Sequence, residues 1–407
     1  MGSLMIGEAK KRVSAEIDSY RDEMVDAMKK MIAVKAISPE SGGLGEARRA
    51  DMLKKLLEMM GNKVSRYDYK DDSGATRSNL IVTYGNATRT IWILSHMDTV
   101  AEGDRSLWHH DPFDAYEKSG RLYGRGTSDN GQGVISSIFA LKALEHTNVR
   151  TNYRVGIALV ADEEVGSKYG VRALLKEGIF KRNDMIVVPD SGNSDGTDIE
   201  IAEKGILWLK FTVKGKQVHA STPGEGLNAY RVATNLLVEL DSMLHKKYDY
   251  KDPLFEPNVS TFEMTKHEKN VDSVNIVPGV DTFYLDCRVL PKYKLDRIIA
   301  DINKVTRKYE KKGAKIRVQV YNREDPAKPT SSSSEIARII EKAVLAVKGK
   351  KGRFVGIGGG TVAKYFRDLG IPAVVWATLP DNAHQPNEYL VIDDMVSDAK
   401  VFAMLFL

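Results

Sequence analysis

Short apolar runs alternate with amphipathic stretches through the first half of the chain. Apolar runs that are buried on both faces of a parallel sheet predict strands at 80–84, 91–94, 154–160 and 185–188. Apolar residues at helical spacing predict helices at 46–60, after Gly133 and at 171–176, and one helical face carries Ile17, Met24, Met28, Met31 and Ile32. This alternation predicts the α/β class, with a mixed, mostly parallel sheet and helices on both of its faces.

The pattern changes near Glu203. Residues 207–213 and 282–289 alternate apolar and polar positions in period two, as half-buried antiparallel strands do, and long helical stretches lie at 228–244 and 295–311. The α/β pattern returns after Asn322, with elements predicted at 354–357, 362–369 and 373–376. We therefore expect an inserted α+β domain at 204–320, within a catalytic domain formed by 1–203 and 321–407.

Composition narrows the class of protein. The 407 residues suit two domains, and the net charge of +5, from 60 Lys and Arg against 55 Asp and Glu, gives no case for a nucleic-acid partner. The basic segment 348–353 is interpreted as a solvated loop. The single cysteine, Cys287, indicates a reducing, cytoplasmic setting, and the apolar runs are far below the ~18 residues of a membrane span. Residues 1–4 are interpreted as an expression remnant, and the apolar end VFAMLFL predicts that a few native residues follow.

Acidic and histidine residues follow several predicted strands. They are His96 and Asp98 in SHMDTV, Asp129 in GRGTSDNGQG, Glu163 and Glu164 in VADEEVGS, Asp190 in IVVPDSG, and His384 in AHQPNEY. Open α/β sheets place their sites outside the carboxyl ends of the strands. Histidines and carboxylates that converge there are the ligands that a pair of divalent metal ions needs.

The individual motifs leave alternatives open. His96 and Asp98 share one face of a strand end, so the Asp98 carboxylate can orient the His96 ring, or the motif is an ordinary surface strand end. Asp129 lies in a glycine-rich turn, where it can bridge two metals or simply cap the helix that follows. Asp190 and His384 taken singly are consistent with incidental polar positions.

Glu163 and Glu164 are adjacent, and on extended chain their side chains diverge. One carboxylate can then bind metal while the other takes the proton of an attacking water. The alternative is a solvated acidic loop, although the buried run before the pair makes casual charge expensive. The remaining histidines are interpreted as surface or locally satisfied groups: His109, His110, His146, His245 and His267.

A glycine cluster at 356–360 lacks the spacing of a phosphate-binding loop, so a nucleotide-dependent enzyme is not favoured. The cluster is interpreted as a tight turn in which the backbone approaches a neighbour closely. Such a turn can place the amide of Gly360 or the Thr361 side chain near a substrate.

The ordered motifs from His96 to Glu388 resemble the zinc aminoacylase/exopeptidase family. That family includes acetylornithine deacetylase, succinyl-diaminopimelate desuccinylase and glutamate carboxypeptidase-like metallopeptidases. The resemblance implies a zinc-exopeptidase-like catalytic domain with an inserted lid and dimerisation domain. It also implies two divalent metal ions, zinc with cobalt or manganese as alternatives, on five ligands: His96, Asp129, Glu164, Asp190 and His384.

The resemblance also assigns roles within the set. His96 and Asp190 would bind one metal, Glu164 and His384 the other, and Asp129 would bridge them. Asp98 would orient His96, and Glu163 would be the general base and later the proton donor to the leaving nitrogen.

The inserted domain carries further positions that the resemblance marks. His219, in GKQVHASTP, would enter the site of the partner subunit in a homodimer and stabilise the oxyanion. Asn275 and Arg288 would hold the substrate carboxylate, which suits the fork of donors on a guanidinium. The alternatives are an ordinary loop histidine on a hairpin, and a surface ion pair between Arg288 and Asp286.

Two departures from the family pattern bear on substrate choice. Gly131 stands where many members have lysine, and Val362 where many have an acid. Aspartate at position 190 is typical of the peptidases of the family, and glutamate there of the deacylases.

The expected function is a dinuclear metal-dependent amidohydrolase that cleaves the amide bond of a small dipeptide or N-acyl amino acid with a free carboxylate. An exopeptidase or dipeptidase is favoured over an N-acyl amino acid deacylase. A non-catalytic binding protein of the same fold is a remote alternative, because every expected ligand position is filled.

Overall fold

The computed structural model describes residues 2–407, with side chains from residue 7 onward, and the chain forms two compact units. The larger unit comprises the chain up to Ile201 with Thr330–Phe354 and Thr361–Leu407, and the smaller comprises Ala202–Pro329 with Val355–Gly360. The interpretation of residues 1–4 as an expression remnant lies outside the described side chains. The lid and dimerisation roles stay predictions.

The elements before the smaller unit alternate as the sequence pattern predicts. The helices of this first part of the chain are α1 (Gly2–Ser19), α2 (Arg21–Ala33), α3 (Ala47–Met59), α4 (Gln132–His146) and α5 (Val171–Lys176). The strands of the same part are β1 (Ser65–Lys70), β2 (Thr76–Tyr84), β3 (Thr90–His96), β4 (Tyr116–Lys118), β5 (Arg121–Tyr123), β6 (Arg154–Val160), β7 (Met185–Asn193) and β8 (Asp198–Glu203).

The chain then continues through the smaller unit and the C-terminal elements. The next elements are β9 (Gly205–Lys214), β10 (Val218–His219), α6 (Ala229–Lys247), β11 (Thr261–His267), β12 (Ile276–Val277), β13 (Val280–Val289), α7 (Leu295–Glu310) and β14 (Lys315–Glu324). The last are α8 (Glu335–Lys348), β15 (Arg353–Ile357), α9 (Ala363–Asp368), β16 (Ala373–Thr378), β17 (Tyr389–Val391) and α10 (Ile392–Met404).

A mixed eight-stranded sheet runs in the order β1-β2-β6-β3-β7-β16-β8-β15. Its four central strands, β6, β3, β7 and β16, are parallel, while β1, β2 and β8 join antiparallel. Residues of α5 and α9 pack against Trp92, Leu94 and their neighbours, and α4 contacts β3, β6 and β7. The predicted fold class, a mostly parallel α/β sheet flanked by helices, is confirmed.

The smaller unit has its own sheet and core. Its antiparallel sheet runs β11-β13-β9-β14, and the inward residues of β9 and β13 pack with those of α6 and α7 around Phe211, Phe283 and Leu285. The period-two alternation of β9 and β13 agrees with their burial. Strands β11 and β14 flank the sheet and are half-exposed along most of their length, so no buried run marks them in the sequence.

The basic segment 348–353 departs from the solvated loop that the sequence suggests. Lys348 is the last residue of α8, its side chain is only 10% exposed, and its Nζ lies 3.3 Å from Asp398 Oδ1. Arg353 begins β15 and is paired with Asp198. The loop interpretation is wrong for Lys348, whose side chain is buried against Asp398, and for Arg353, which belongs to a strand, although the Arg353 side chain stays exposed to solvent. Among the described residues, no helix has the length and apolar character of a membrane span.

A buried carboxylate fastens the two helices of the smaller unit. Asp301 of α7 is 4% exposed and accepts hydrogen bonds from Lys247, Tyr248 and Lys304. Burial alone would raise the pKa of Asp301, but these three donors outweigh it and lower the pKa. The charged form is therefore the one that stabilises the fold.

Replacing Asp301 by asparagine is expected to lower the free energy of unfolding by about 2–3 kcal/mol at pH 7, the scale of hydrogen bonds to a buried charge. Because the folded pKa is depressed, this contribution is present above the unfolded carboxyl pKa of about 3.9 and is lost as the pH falls toward the folded value. Urea unfolding at pH 7 and pH 3 checks both points.

The control is Asp296→Asn. Asp296 lies on the same helix as Asp301, is exposed, and forms an ion pair with Arg323 of β14. That change should cost less than about 1 kcal/mol. Equal losses in the two variants would contradict the role of Asp301.

Candidate metal centre

The ends of three neighbouring strands bring the predicted ligands together. Strand β3 ends at His96, β6 ends at Val160 just before Glu163 and Glu164, and β7 carries Asp190. Because these strands are parallel and adjacent, their carboxyl ends meet at one edge of the sheet. The five predicted ligands all belong to the larger unit.

Two groups of possible metal ligands share the Asp129 carboxylate. In one, His96 Nε2 lies 2.9 Å from Asp129 Oδ1 and 3.3 Å from Asp190 Oδ1. In the other, His384 Nε2 lies 3.1 Å from Asp129 Oδ2 and 3.2 Å from Glu164 Oε2. The donor atoms within each group lie within 4.8 Å of one another. Each oxygen of Asp129 therefore faces a different histidine, as a bridging carboxylate would.

Asp98 organises the site through its backbone as well as its side chain. His96 Nδ1 donates to the Asp98 carbonyl oxygen at 3.0 Å, whereas the Asp98 carboxylate lies farther away, at 3.5 Å. The expectation that Asp98 orients His96 stays a prediction, in which the carbonyl makes the shorter contact and the carboxylate the longer one. That carboxylate also accepts the backbone N–H groups of Glu163 and Glu164, each at 3.1 Å. Asp98 thus fixes both the histidine and the glutamate pair.

The two adjacent glutamates begin a 3₁₀ turn, Glu163–Val165, and do not lie on extended chain as expected. The turn starts from Asp162, whose backbone is left-handed with φ of 67°, and whose buried carboxylate lies 3.1 Å from Nη1 of the buried Arg77. The Glu164 side chain reaches His384, whereas Glu163 belongs to neither ligand group. The structure thus places the two carboxylates in different settings.

The turn that carries Asp129 is tightly constrained. Gly126 has φ of 83°, and a Cβ added there would lie 2.6 Å from Thr99 Cγ2. The residue that caps α4 is Gly131, so the alternative in which Asp129 caps this helix is wrong. A Cβ at Gly131 would lie 2.3 Å from the Gly126 carbonyl oxygen, so this position has no room for a side chain.

The charges of the site act on one another. Burial raises the pKa of Glu163 well above its usual range, and the nearby Asp190 raises it further. Hydrogen bonding to Asp129 and Glu164 raises the pKa of His384 to about 10. Burial would raise the pKa of Asp129, but the two histidines lower it. The carboxylates therefore favour positive charge at the positions where the histidine nitrogens meet them.

Several predicted site residues lie in the smaller unit. His219 is exposed on β10, with Nδ1 2.7 Å from Ser221 Oγ, and Asn275 accepts the Ala220 N–H through its backbone. Arg288 pairs with both oxygens of Asp286 at 2.8 and 3.1 Å and donates to the Gly358 carbonyl. The ion pair offered as the alternative for Arg288 is therefore present.

The glycine cluster shows the close approach that the sequence suggests. A Cβ at Gly356 would lie 2.4 Å from the Phe255 ring, and one at Gly360 would lie 3.1 Å from Glu324 Oε2. Thr361 belongs to the larger unit, where its hydroxyl accepts the Ala363 N–H at 3.2 Å. Substrate-binding roles for Gly360 and Thr361 stay predictions.

Sequence reasoning missed the buried groups that surround the ligands. Arg77 Nη1 lies 3.1 Å from Asp162 Oδ1, and Arg125 pairs at 2.8 Å with Glu388, which is fully buried. Of these, only Glu388 has a sequence signal, since it lies four residues after His384 in the same polar motif. The arginines carry no such mark, because an isolated Arg is ordinarily a surface residue.

This fold, with two histidine and carboxylate groups at the carboxyl ends of its parallel strands, defines a metallohydrolase class. The model of peptidase family M20/M25/M40 matches residues 92–407. A relative described as an uncharacterized metallohydrolase, from Methanocaldococcus jannaschii, is 38% identical over 403 residues, covering 94% of this chain and 98% of that protein. The chain belongs to peptidase family M20/M25/M40 and is a hydrolytic enzyme.

More distant relatives have specific names. A succinyl-diaminopimelate desuccinylase of Rickettsia bellii is 27% identical, covering 90% of this chain and 92% of that protein. A metallo-carboxypeptidase from Sulfolobus solfataricus has the same fold, with a TM-score of 0.74, 22% identity and coverage of 94% and 98% of the two chains. A dipeptidase from Saccharomyces cerevisiae gives a TM-score of 0.72 at 16% identity, covering 97% of each chain.

Proposed function

We propose that the protein is a dinuclear metal-dependent amidohydrolase that cleaves a small dipeptide or an N-acyl amino acid with a free carboxylate. The observation that carries the proposal is the pair of ligand groups that share Asp129. Family membership supports divalent metal use, and the number and identity of the ions are part of the proposal. Zinc is the proposed ion, with cobalt or manganese as alternatives, since ligand preferences overlap.

The donor set fits two divalent ions. Imidazole nitrogen and carboxylate oxygen are ordinary ligands of zinc, and each group offers one histidine with two carboxylates. The Nδ1 donor bond of His96 leaves Nε2 as the free nitrogen, directed at Asp129 and Asp190. When bound, the metal ions would lower the pKa of a water and polarise the scissile carbonyl.

Glu163 is proposed as the general base. It lies outside both ligand groups, and its raised pKa suits a group that first takes a proton and later returns it to the leaving nitrogen. The backbone N–H of Glu163 donates a hydrogen bond to Asp98, which fixes the position of the backbone that carries the Glu163 side chain. Asp98 is proposed as the positioning residue for both Glu163 and His96.

Two substrate classes remain within this proposal. Aspartate at position 190, by the family pattern, favours an exopeptidase or dipeptidase. The named desuccinylase relatives favour an N-acyl amino acid deacylase, and these resemble the present chain over most of its length. We place the peptidase first, because Asp190 lies in one of the two ligand groups.

A substrate panel tests the proposal. Zinc- or cobalt-loaded protein is expected to cleave dipeptides in the panel, and a chelator should abolish that cleavage because both metals are required for the reaction. The panel would also hold N-acetyl amino acids and N-succinyl-diaminopimelate, with release of the free amine as the measurement. Cleavage of the acylated compounds alone would make the enzyme a deacylase. A chain that binds no divalent metal would contradict the proposal as a whole.

The smaller unit is proposed to supply His219 to the oxyanion, from the partner subunit of a homodimer, and Asn275 and Arg288 to the substrate carboxylate. His219→Ala is then expected to lower kcat by about 10²- to 10³-fold, the usual effect of removing one oxyanion donor. His245→Ala, another exposed histidine of this unit, should leave turnover unchanged. A fully active His219→Ala variant, in a protein that sediments as a monomer, would contradict both the role and its partner origin.

A further inference from the structure

Glu388 is a buried acid outside both ligand groups. It is 0% exposed and accepts five hydrogen bonds from the segment Arg125–Asp129. Its Oε2 accepts from Arg125 Nη1 at 2.8 Å and from the Gly126 N–H at 2.9 Å. Its Oε1 accepts the N–H and hydroxyl of Ser128, both at 3.0 Å, and the Asp129 N–H at 3.1 Å.

These contacts separate Glu388 from the ligands. Both oxygens of Glu388 accept hydrogen bonds from the protein and are therefore not directed at a metal ion. The oxygens of Asp129, in contrast, face the two histidines. Three of the five donors are backbone N–H groups of the Asp129 turn. A turn without regular backbone pairing has N–H groups that need an acceptor, and Glu388 is the acceptor that this turn folds around.

The same residue also belongs to the segment that carries His384. Arg125 Nη2 donates to the His384 carbonyl at 3.4 Å, and the Ser128 hydroxyl lies 3.0 Å from Asn382 Oδ1. Asn382 in turn donates to the Tyr389 carbonyl at 2.9 Å. The turn around Asp129 and the 382–389 segment are therefore fastened to each other, with Glu388 at the centre of the contacts.

We propose that Glu388 is a positioning residue of the metal centre: it sets the Asp129 carboxylate relative to His384, and so controls metal affinity and ligand geometry. The inference rests on the proposed two-metal function. Displacement of a ligand by a few tenths of an ångström weakens a metal site, and loss of an outer hydrogen-bonding partner ordinarily costs about 10- to 100-fold in metal affinity.

The test uses the full chain and cobalt(II) as the probe. Glu388→Gln replaces one accepting oxygen by an NH₂ donor, which would face the protein's own N–H donors. We expect cobalt affinity to fall about 10- to 100-fold and the visible cobalt spectrum to change, because Asp129 belongs to both ligand groups. Affinity is measured by competition with a chelating dye, and unfolding by circular dichroism.

Asp184→Asn is the matched control. Asp184 is a buried carboxylate of the same unit that accepts three N–H donors, from Thr90, Trp92 and Lys181, at the opposite ends of strands β3 and β7. This variant should lose stability but keep the parent cobalt affinity and spectrum. If Glu388→Gln behaves in the same way, Glu388 is merely structural and the inference is wrong.

Glu388→Asp is the second variant, and it keeps the test decisive if the glutamine variant does not fold. Aspartate keeps a negative charge opposite Arg125 but withdraws the carboxylate from the turn by one methylene. Weakened cobalt binding by this variant would support the inference, because it would show that the carboxylate must extend far enough to accept the N–H groups of the turn. Parent-like affinity and spectrum would show that charge balance alone matters, which overturns the inference. Failure of the parent chain to bind cobalt would instead refute the metal centre itself.

Discussion

Replacing Glu163 by glutamine is expected to leave both ligand groups intact and to lower kcat by about 10²- to 10⁴-fold, the contribution of a positioned general base. Glutamine has nearly the shape of glutamate but cannot take a proton from water. Because Glu163 lies outside both ligand groups, metal content should stay at the parent value. The measurement is kcat on the best substrate of the panel, together with metal content by mass spectrometry.

The neighbouring glutamate provides the control. Glu164 belongs to the group of Asp129 and His384, so Glu164→Gln should reduce metal content as well as activity. Equal metal loss in both variants would show that Glu163 is a ligand. Substantial turnover by Glu163→Gln would refute its assignment as the base.

Replacing Asp129 by asparagine is expected to weaken the binding of both metal ions at once and to lower turnover by about 10³-fold or more. Each Asp129 oxygen faces a different histidine, and asparagine keeps only one oxygen and carries no charge. Metal polarisation of a substrate is worth several kcal/mol, and about 4 kcal/mol corresponds to that factor. Metal content measured across a range of zinc concentrations checks the prediction.

The comparison is with Asp190→Asn and His384→Ala, each of which removes a residue from one group only. These variants should retain one ion more firmly than the other. An Asp129→Asn protein that keeps both ions, or that loses the same single ion as His384→Ala, would argue against the bridge.

The convergence of the candidate ligands was predictable because the sequence marks strand ends. His96 and Asp190 directly follow or continue buried apolar runs, and the parallel order of β3, β6 and β7 brings such ends together. The fold class follows from the same runs. In contrast, the local conformation of Glu163 depends on Asp98, whose carboxylate accepts two backbone N–H groups from another strand end. Spacing along the chain does not reveal such a contact.

The positioning groups were less predictable for a related reason. Arg77 and Arg125 are charged residues buried beside carboxylates from distant segments: Glu46 and Asp162 for the first, and Glu388 for the second. A charged residue in a single sequence is ordinarily assigned to the surface. Strand β14 was missed because it is half-exposed, so its apolar alternation does not mark a buried face.

The separation of the ligand groups from the core of the smaller unit has an evolutionary consequence. Every residue of the two groups lies in the larger unit, while the smaller unit is built around its own buried cluster. Substitutions in the smaller unit can therefore accumulate without altering the candidate ligands. Under the proposed function, positions of the smaller unit other than His219 can vary with the substrate while the candidate ligands are kept.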